Sequence, residues 1–185
     1  MIFLTIGSHE PFARLIKAVD EWSARNGATP EVFGQITDQG IADHPPQHFE
    51  AVGKMSPKEY DQKFSQADLI VSHAGMGSIL TALSKGKPIV VMPRRGHLRE
   101  TRNDHQYTTA KHLGDRPGVF VAEDETQLAD VLDRTLATLE QCRNAPVSQV
   151  AQPQFTAALR SYLLTNTFAR DGVSRGQNGE ESFEV

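Results

Sequence analysis

The feature that most constrains the fold of this chain is a regular alternation between short apolar runs and segments with helical periodicity. The apolar runs predict six strands, over residues 2–6, 31–36, 49–52, 68–72, 88–92 and 118–121. Segments with apolar residues at three- and four-residue steps predict helices, over residues 11–25, 57–66, 78–85, 105–113, 124–140 and 154–164. Residues 37–47 have the composition of a loop. Strands separated by helices favour an α/β fold, with a parallel sheet and helices on both faces.

Local signals refine the predicted helix boundaries. Pro11 suits the first turn of a helix, where its missing N–H is not needed. Ser56 and Glu59 have the spacing of a capping box around Pro57. Asp104 can cap the helix that follows it.

Length and composition indicate one ordinary globular domain. We expect it to span residues 1–165, with a polar, glycine-bearing and disordered tail over 166–185. The net charge of −4 argues against a nucleic-acid partner. The single cysteine, Cys142, excludes an internal disulfide. No run approaches the roughly 18–20 apolar residues that span a bilayer, so we expect a cytoplasmic domain with at most a peripheral membrane role.

A glycine-rich turn between a predicted strand and a predicted helix is the strongest functional signal. It comprises His73, Gly75, Met76, Gly77 and Ser78. Ligands of parallel sheets bind beyond the carboxyl ends of the strands, and glycines there let backbone N–H groups and the helix N-terminus approach an anion. The alternative is a tight turn that needs glycine for backbone reasons alone, because such turns are weak evidence by themselves.

Two further segments follow predicted strands. In residues 93–106, Arg94 and Arg95 suit phosphates or carboxylates, and the polar side chains at 104–106 can bond sugar hydroxyls. The alternative is a solvated basic loop, and such a loop can also dock a partner or an anionic membrane. In residues 7–10, His9 and Glu10 can do acid–base chemistry, or they form a turn before the first helix.

The stretch from His73 to Pro93, continued by Arg94, Arg95 and residues 103–106, resembles the C-terminal domain of family 28 glycosyltransferases. Together with residues 3–20, it is most similar to small soluble subunits of split enzymes, such as the catalytic subunit of chitobiosyldiphosphodolichol synthase and bacterial exopolysaccharide glycosyltransferases. The resemblance covers roughly residues 1–140. It implies a Rossmann-like domain that is one half of a GT-B fold.

The resemblance also implies roles for individual residues. The donor's diphosphate would be held by the opening loop, residues 7–10, and by the glycine turn. The donor sugar would be held by the start of the helix near 105. Relatives often carry a ribose-binding glutamate eight residues after the histidine, where this chain has Thr81, whose hydroxyl can serve instead. The implied donor-binding residues are Gly7, Ser8, His73, Gly75, Met76, Gly77, Ser78, Thr81, Arg94, Arg95, Asp104, His105 and Gln106. His9 is the candidate general base on this chain, although the base can also lie on a partner.

The function that the resemblance implies is a partner-dependent, UDP-sugar-dependent inverting glycosyltransferase. The acceptor half would be a separate membrane-attached subunit, which binds a polyprenyl-diphosphate-linked acceptor in exopolysaccharide or glycolipid synthesis. We expect no metal and no other cofactor, because no paired carboxylates of the Asp-x-Asp kind stand out. The alternatives are a non-catalytic accessory subunit that stabilises a catalytic partner, and a sugar-nucleotide enzyme of another kind, such as an epimerase.

Overall fold

A single parallel sheet organises the computed structural model, which describes residues 1–8, 10–102, 104–114 and 116–139. Its strands are β1 (Ile2–Thr5), β2 (Val32–Gln35), β3 (Glu50–Val52), β4 (Leu69–His73), β5 (Ile89–Met92) and β6 (Val119–Val121). All neighbouring pairs run parallel, in the order β3-β2-β1-β4-β5-β6. Every strand that the sequence predicts is confirmed, and the α/β fold with it.

Helices connect the strands. They are α1 (Ala13–Arg25), α2 (Asp38–Asp43), α3 (Pro57–Gln66), α4 (Met76–Ser84), α5 (His105–Leu113) and α6 (Glu125–Ala137). The capping box at the start of α3 is confirmed. The Ser56 hydroxyl accepts from the Glu59 N–H at 3.3 Å, and the Ser56 N–H donates to the Glu59 carboxylate at 2.9 Å. None of the helices in these described ranges is long and apolar enough to cross a membrane.

Three local predictions are wrong. Pro11 lies outside α1, whose N-cap is Phe12. Residues 37–47 are not only loop, because the Thr37 hydroxyl accepts from the Gly40 N–H at 3.0 Å and caps the short helix α2. Asp104 is the N-cap residue of α5 but makes no side-chain cap, since its carboxylate accepts from the Gly96 N–H at 2.7 Å. The predicted helix over 154–164 and the domain boundary at 165 lie outside the described residues.

The core has two layers, one on each face of the sheet. Alternate residues of β1 point to opposite faces, so that Ile2 and Leu4 join one layer and Phe3 the other. The first layer is completed by buried residues of α1 and α6, and the second by buried residues of α3, α4 and α5. The two layers confirm that helices cover both faces.

The strand order places the loops that follow β1 and β4 side by side. The chain builds outward from β1 through β2 to β3, then crosses to the other side of β1 and continues through β4, β5 and β6. The point between β1 and β4, where the order reverses, is where open α/β sheets of this kind bind ligands. The opening loop and the glycine turn both leave the sheet at this point.

Candidate functional site

The imidazole of His73 lies between two glycines at the reversal point. A β-carbon added to Gly7 would lie 3.3 Å from Cε1 of His73. A β-carbon added to Gly75 would overlap Nε2 and lie 2.9 Å from Cδ2. Gly7 also has φ of +81°, a conformation that side chains disfavour. Both glycines are therefore needed for the ring to occupy this position.

The environment of His73 keeps its ring neutral at physiological pH. Burial, and secondarily the positive charge of Arg94, lower its pKa from 6.5 to about 4. The Ser72 hydroxyl donates to the Thr5 carbonyl at 2.8 Å and lies 3.3 Å from Nδ1 of His73. Since that hydroxyl proton is already used, Nδ1 is the nitrogen that donates to the Ser72 oxygen. The other nitrogen, Nε2, then faces the two glycines.

Helix α4 begins directly at the glycine turn. Gly75 is its N-cap and supplies no side-chain hydrogen bond, and the first turn carries no acidic residue. The N–H groups of Met76, Gly77 and Ser78 occupy the first three helical positions, where no intrahelical acceptor exists. A β-carbon on Gly77 would meet no atom within 4 Å, so the space in front of this turn is open. An uncapped helix start with open space in front can hold an anion.

A cavity of about 490 Å³ lies beside α4 at Thr81, one turn after the helix start, and its lining includes none of residues 73–78. It brings together three of the predicted donor-binding residues, Gly7, Ser8 and Thr81. The Thr81 hydroxyl donates to the Gly77 carbonyl at 2.7 Å, which leaves its oxygen lone pairs as acceptors. The remaining lining residues are Thr5, Gln35, Lys54, Met55, Pro57, Tyr60 and Asp61.

Sequence reasoning missed the residues that line the β2 and β3 side of this cavity. The side-chain amide of Gln35 donates to the carbonyls of Gly7, at 3.3 Å, and Gly53, at 3.0 Å, and so ties together the loops after β1 and β3. The Tyr60 hydroxyl donates to the Thr5 hydroxyl at 3.4 Å. The available signal was positional, because residues 53–56 also follow a strand and belong to the same ligand-binding edge.

Arg94 does not point to a ligand. Its guanidinium is buried, with the residue 2% exposed, and lies 4.7 Å from the centre of the Phe12 ring. Its four terminal N–H groups donate to the backbone carbonyls of Ile6, Glu10, Pro11 and Glu100, at 3.0, 2.7, 2.7 and 3.2 Å. The four N–H groups therefore hold neighbouring backbone, including that of the opening loop, and a direct contact of Arg94 with the donor stays a prediction.

Arg95 lies on the side of the site nearest β6. It stacks 4.4 Å from the centre of the Tyr107 ring and donates to the Glu123 carbonyl at 2.8 Å. The Gln106 side-chain carbonyl accepts from the Arg94 N–H at 3.2 Å, as Asp104 does from Gly96. His105 is exposed at the start of α5. These contacts fix the basic loop, whereas a role for Arg95, Asp104, His105 or Gln106 in donor binding stays a prediction.

Two cavities of about 580 and 570 Å³ lie beside β6 and share no lining residue with the 490 Å³ cavity. Their volumes differ little from that of the 490 Å³ cavity, so size does not select the site. The start of α4 does, because its N–H groups supply donors for an anion at the reversal point of the sheet, one helical turn from Thr81 in the wall of this cavity. His9, the candidate base, lies outside the described residues, and its role stays a prediction.

The parallel sheet, with helices on both faces and an order that reverses between β1 and β4, makes the chain a Rossmann-like α/β domain. Residues 1–161 match the family model of the glycosyltransferase family 28 C-terminal domain. The chain belongs to this family.

Individual relatives agree with this placement. The mouse UDP-N-acetylglucosamine transferase subunit ALG13 is 46% identical over 52 residues, which are 28% of this chain and only 4% of that protein. An NMR structure of ALG13 is similar in fold, with a TM-score of 0.53 and 20% identity, over 91% of this chain and 96% of that one. A crystal structure of Os79 from O. sativa in complex with UDP has a TM-score of 0.58 and 14% identity, over 77% of this chain and 33% of that one.

Proposed function

We propose that this chain is the donor-binding subunit of an inverting glycosyltransferase that uses a UDP-sugar. The observation that carries the proposal is the uncapped start of α4, which faces open space beside His73 at the reversal point of the sheet. Membership of the glycosyltransferase family 28 supports the reaction class. The likeness to a UDP-N-acetylglucosamine transferase subunit supports UDP as the nucleotide.

The diphosphate would bind at the glycine turn. The N–H groups of Met76, Gly77 and Ser78 can donate to its oxygens, and the positive end of α4 favours its charge. Nε2 of His73 lies against Gly75. Because Nδ1 is already the donor in the neutral ring, His73 would donate from Nε2 only after taking up a proton, which the diphosphate charge favours.

The nucleoside would occupy the 490 Å³ cavity, whose volume is within the usual range for small-molecule sites. Thr81 lies one helical turn after Gly77, so that its hydroxyl oxygen can accept from a ribose hydroxyl. The Tyr60 ring and the Met55 side chain give the same cavity an apolar wall. The ammonium group of Lys54 can donate hydrogen bonds at its edge.

In the proposed reaction, an acceptor hydroxyl oxygen attacks the anomeric carbon while the bond from that carbon to the UDP oxygen breaks. The acceptor proton passes to a general base on the partner subunit or on His9. Negative charge develops on the departing diphosphate, and the α4 N-terminus together with protonated His73 would stabilise it without a metal. This is electrostatic stabilisation by groups that are fixed before the reaction.

The acceptor would be bound by another polypeptide. We propose a membrane-attached subunit that presents a polyprenyl-diphosphate-linked acceptor, so that this chain is peripheral to the cytoplasmic face of the membrane through its partner. The carboxyl edge of the sheet is the face that would meet that subunit, since Met76, Leu80 and Leu98 are large apolar residues exposed near it. A surface that a partner covers in the complex would expose such apolar side chains when the chain is alone.

Calorimetric titration with UDP tests donor binding. The proposal predicts saturable binding that is the same with and without Mg²⁺. No binding, or binding only with Mg²⁺, would reject it. The alternative of a non-catalytic accessory subunit is tested by transfer assays with each subunit alone and with the pair. If the His73→Ala pair transfers sugar at the wild-type rate, His73 has no role in the reaction.

A further inference from the structure

Arg94 encloses the base of the opening loop with a single side chain. Ile6, whose carbonyl accepts one N–H of Arg94, precedes Gly7, and Glu10 and Pro11, whose carbonyls accept two more, follow Ser8. The carbonyl partners are 83–88 residues away along the chain. One guanidinium therefore joins both ends of the loop that faces the glycine turn.

Contacts with Glu100 and Phe12 also fix the position of Arg94. The carboxylate of Glu100 accepts two hydrogen bonds from Arg14, at 2.9 and 2.7 Å, and one from the Arg95 N–H at 2.9 Å. The Glu100 carbonyl accepts the fourth terminal N–H of Arg94. The centre of the Phe12 ring lies 5.4 Å from the Arg14 guanidinium and 4.7 Å from that of Arg94. Arg94 is thus held in one rotamer by packing and hydrogen bonds.

Arg94 also places a buried positive charge near the site. Its hydrogen bonds go to neutral carbonyls, while the carboxylates of Glu10 and Glu100 act on it only through space. The same charge contributes to lowering the pKa of His73, after burial. Charges in a buried environment act over longer distances than in water. The guanidinium can therefore attract a diphosphate without touching it.

We infer that Arg94 is a positioning residue of the donor site: its guanidinium holds the backbone on both sides of Gly7 and Ser8, which keeps Gly7 beside His73, and its buried charge favours the diphosphate from behind that backbone. This inference rests on the proposed donor-binding function. It assigns Arg94 an indirect role in place of the direct phosphate contact that its position in the sequence suggests.

Two substitutions separate the two parts of the role. Arg94→Lys keeps the charge but cannot supply four N–H groups in the fork geometry. Arg94→Met loses the charge as well. Arg134→Met is the matched control, since Arg134 is exposed on α6 and, among the described residues, its side chain donates to the carbonyl of Asp130 on its own helix. Each protein is titrated with UDP by calorimetry, and its His73 ring signals are followed by NMR against pH.

The expected results differ between the variants. Both Arg94 variants should bind UDP more weakly, on the order of tenfold to a hundredfold, because the loop loses its support. The pKa of His73 should stay near its wild-type value in Arg94→Lys and rise toward 6.5 in Arg94→Met. A merely structural role would not produce this difference. The control should match the wild type in both measurements.

Unchanged UDP affinity together with an unchanged His73 pKa in Arg94→Met overturns the inference and leaves the proposed function intact. Failure of the wild-type chain to bind UDP rejects the proposed function and the inference with it. If both variants unfold, an NMR titration of the wild-type chain with UDP replaces them. The Arg94 side-chain N–H signals should shift less on saturation with UDP than the amide of Gly77, and a larger shift would indicate direct contact and overturn the inference.

Discussion

Gly75→Ala is the substitution that most sharply tests the arrangement of His73. The backbone of Gly75 has φ of −89° and ψ of 134°, which alanine adopts without strain. The methyl group, however, would overlap Nε2 of His73 and lie 2.9 Å from Cδ2 and 3.0 Å from Cε1. The ring must therefore leave the position that it occupies against Gly75.

The expected cost has two parts. Overpacking of this kind destabilises a protein by about 1–3 kcal/mol. Loss of a hydrogen bond from His73 to a charged phosphate costs about 1.5–3 kcal/mol of binding, which is roughly a 10- to 150-fold increase in the dissociation constant for UDP. Gly77→Ala is the matched control, since a β-carbon there meets nothing within 4 Å. It should not lower stability, because alanine is the better helix former.

Urea unfolding and calorimetric titration with UDP measure the two parts. Gly75→Ala should lose both stability and affinity. Gly77→Ala should keep its stability, although its methyl group would project into the space proposed for the diphosphate and weaken binding. A Gly75→Ala protein with wild-type stability and wild-type affinity for UDP would show that the His73 ring is not held as described.

Three further predictions concern stability. The pKa of His73 is about 4 in the folded chain, against 6.5 for an unperturbed histidine, as in the unfolded chain. The free energy of unfolding should therefore be unaffected above pH 6.5 and fall between pH 6.5 and 4, by up to about 3 kcal/mol. Urea unfolding measured against pH should show that His73→Gln removes this loss. Glu100→Gln should destabilise the chain by roughly 1–3 kcal/mol in thermal unfolding, since both side chains of the Arg14–Glu100 pair are only 13% exposed; wild-type stability would contradict the described pair. Ser56→Ala should cost about 1 kcal/mol through loss of the capping box, and an unchanged urea midpoint would argue against the cap.

The success of the sequence-based predictions depended on how local the determining interactions are. The capping box of Ser56 and Glu59 joins residues three apart, and the sequence located it correctly. The strands were found because burial on both faces requires continuous apolar runs. Helix α2 was missed because a six-residue helix is too short to show periodicity, and its start depends on Thr37 at φ of +64°.

The site was harder to predict than the fold because its side chains are oriented by distant groups. Sequence identifies Arg94 as a cation after a strand, but the carbonyls that it bonds in the opening loop are more than 80 residues away. Likewise, Gln35 ties two loops together from a strand that carried no motif. The glycine turn was located correctly. Helix α4, however, begins at Met76 and not at the predicted Ser78, so that Met76 and Ser78 both lie within the first turn of the helix.

An NMR titration of the ¹⁵N-labelled chain with UDP, in the absence of divalent metal, shows whether a diphosphate binds at the glycine turn. We expect saturable shifts that are largest for the amides of Gly75, Met76, Gly77 and Ser78, with smaller shifts for Gly7 and for the residues around the 490 Å³ cavity. No saturable shifts, or shifts centred on the cavities beside β6 while the glycine turn stays unchanged, would contradict binding at that turn.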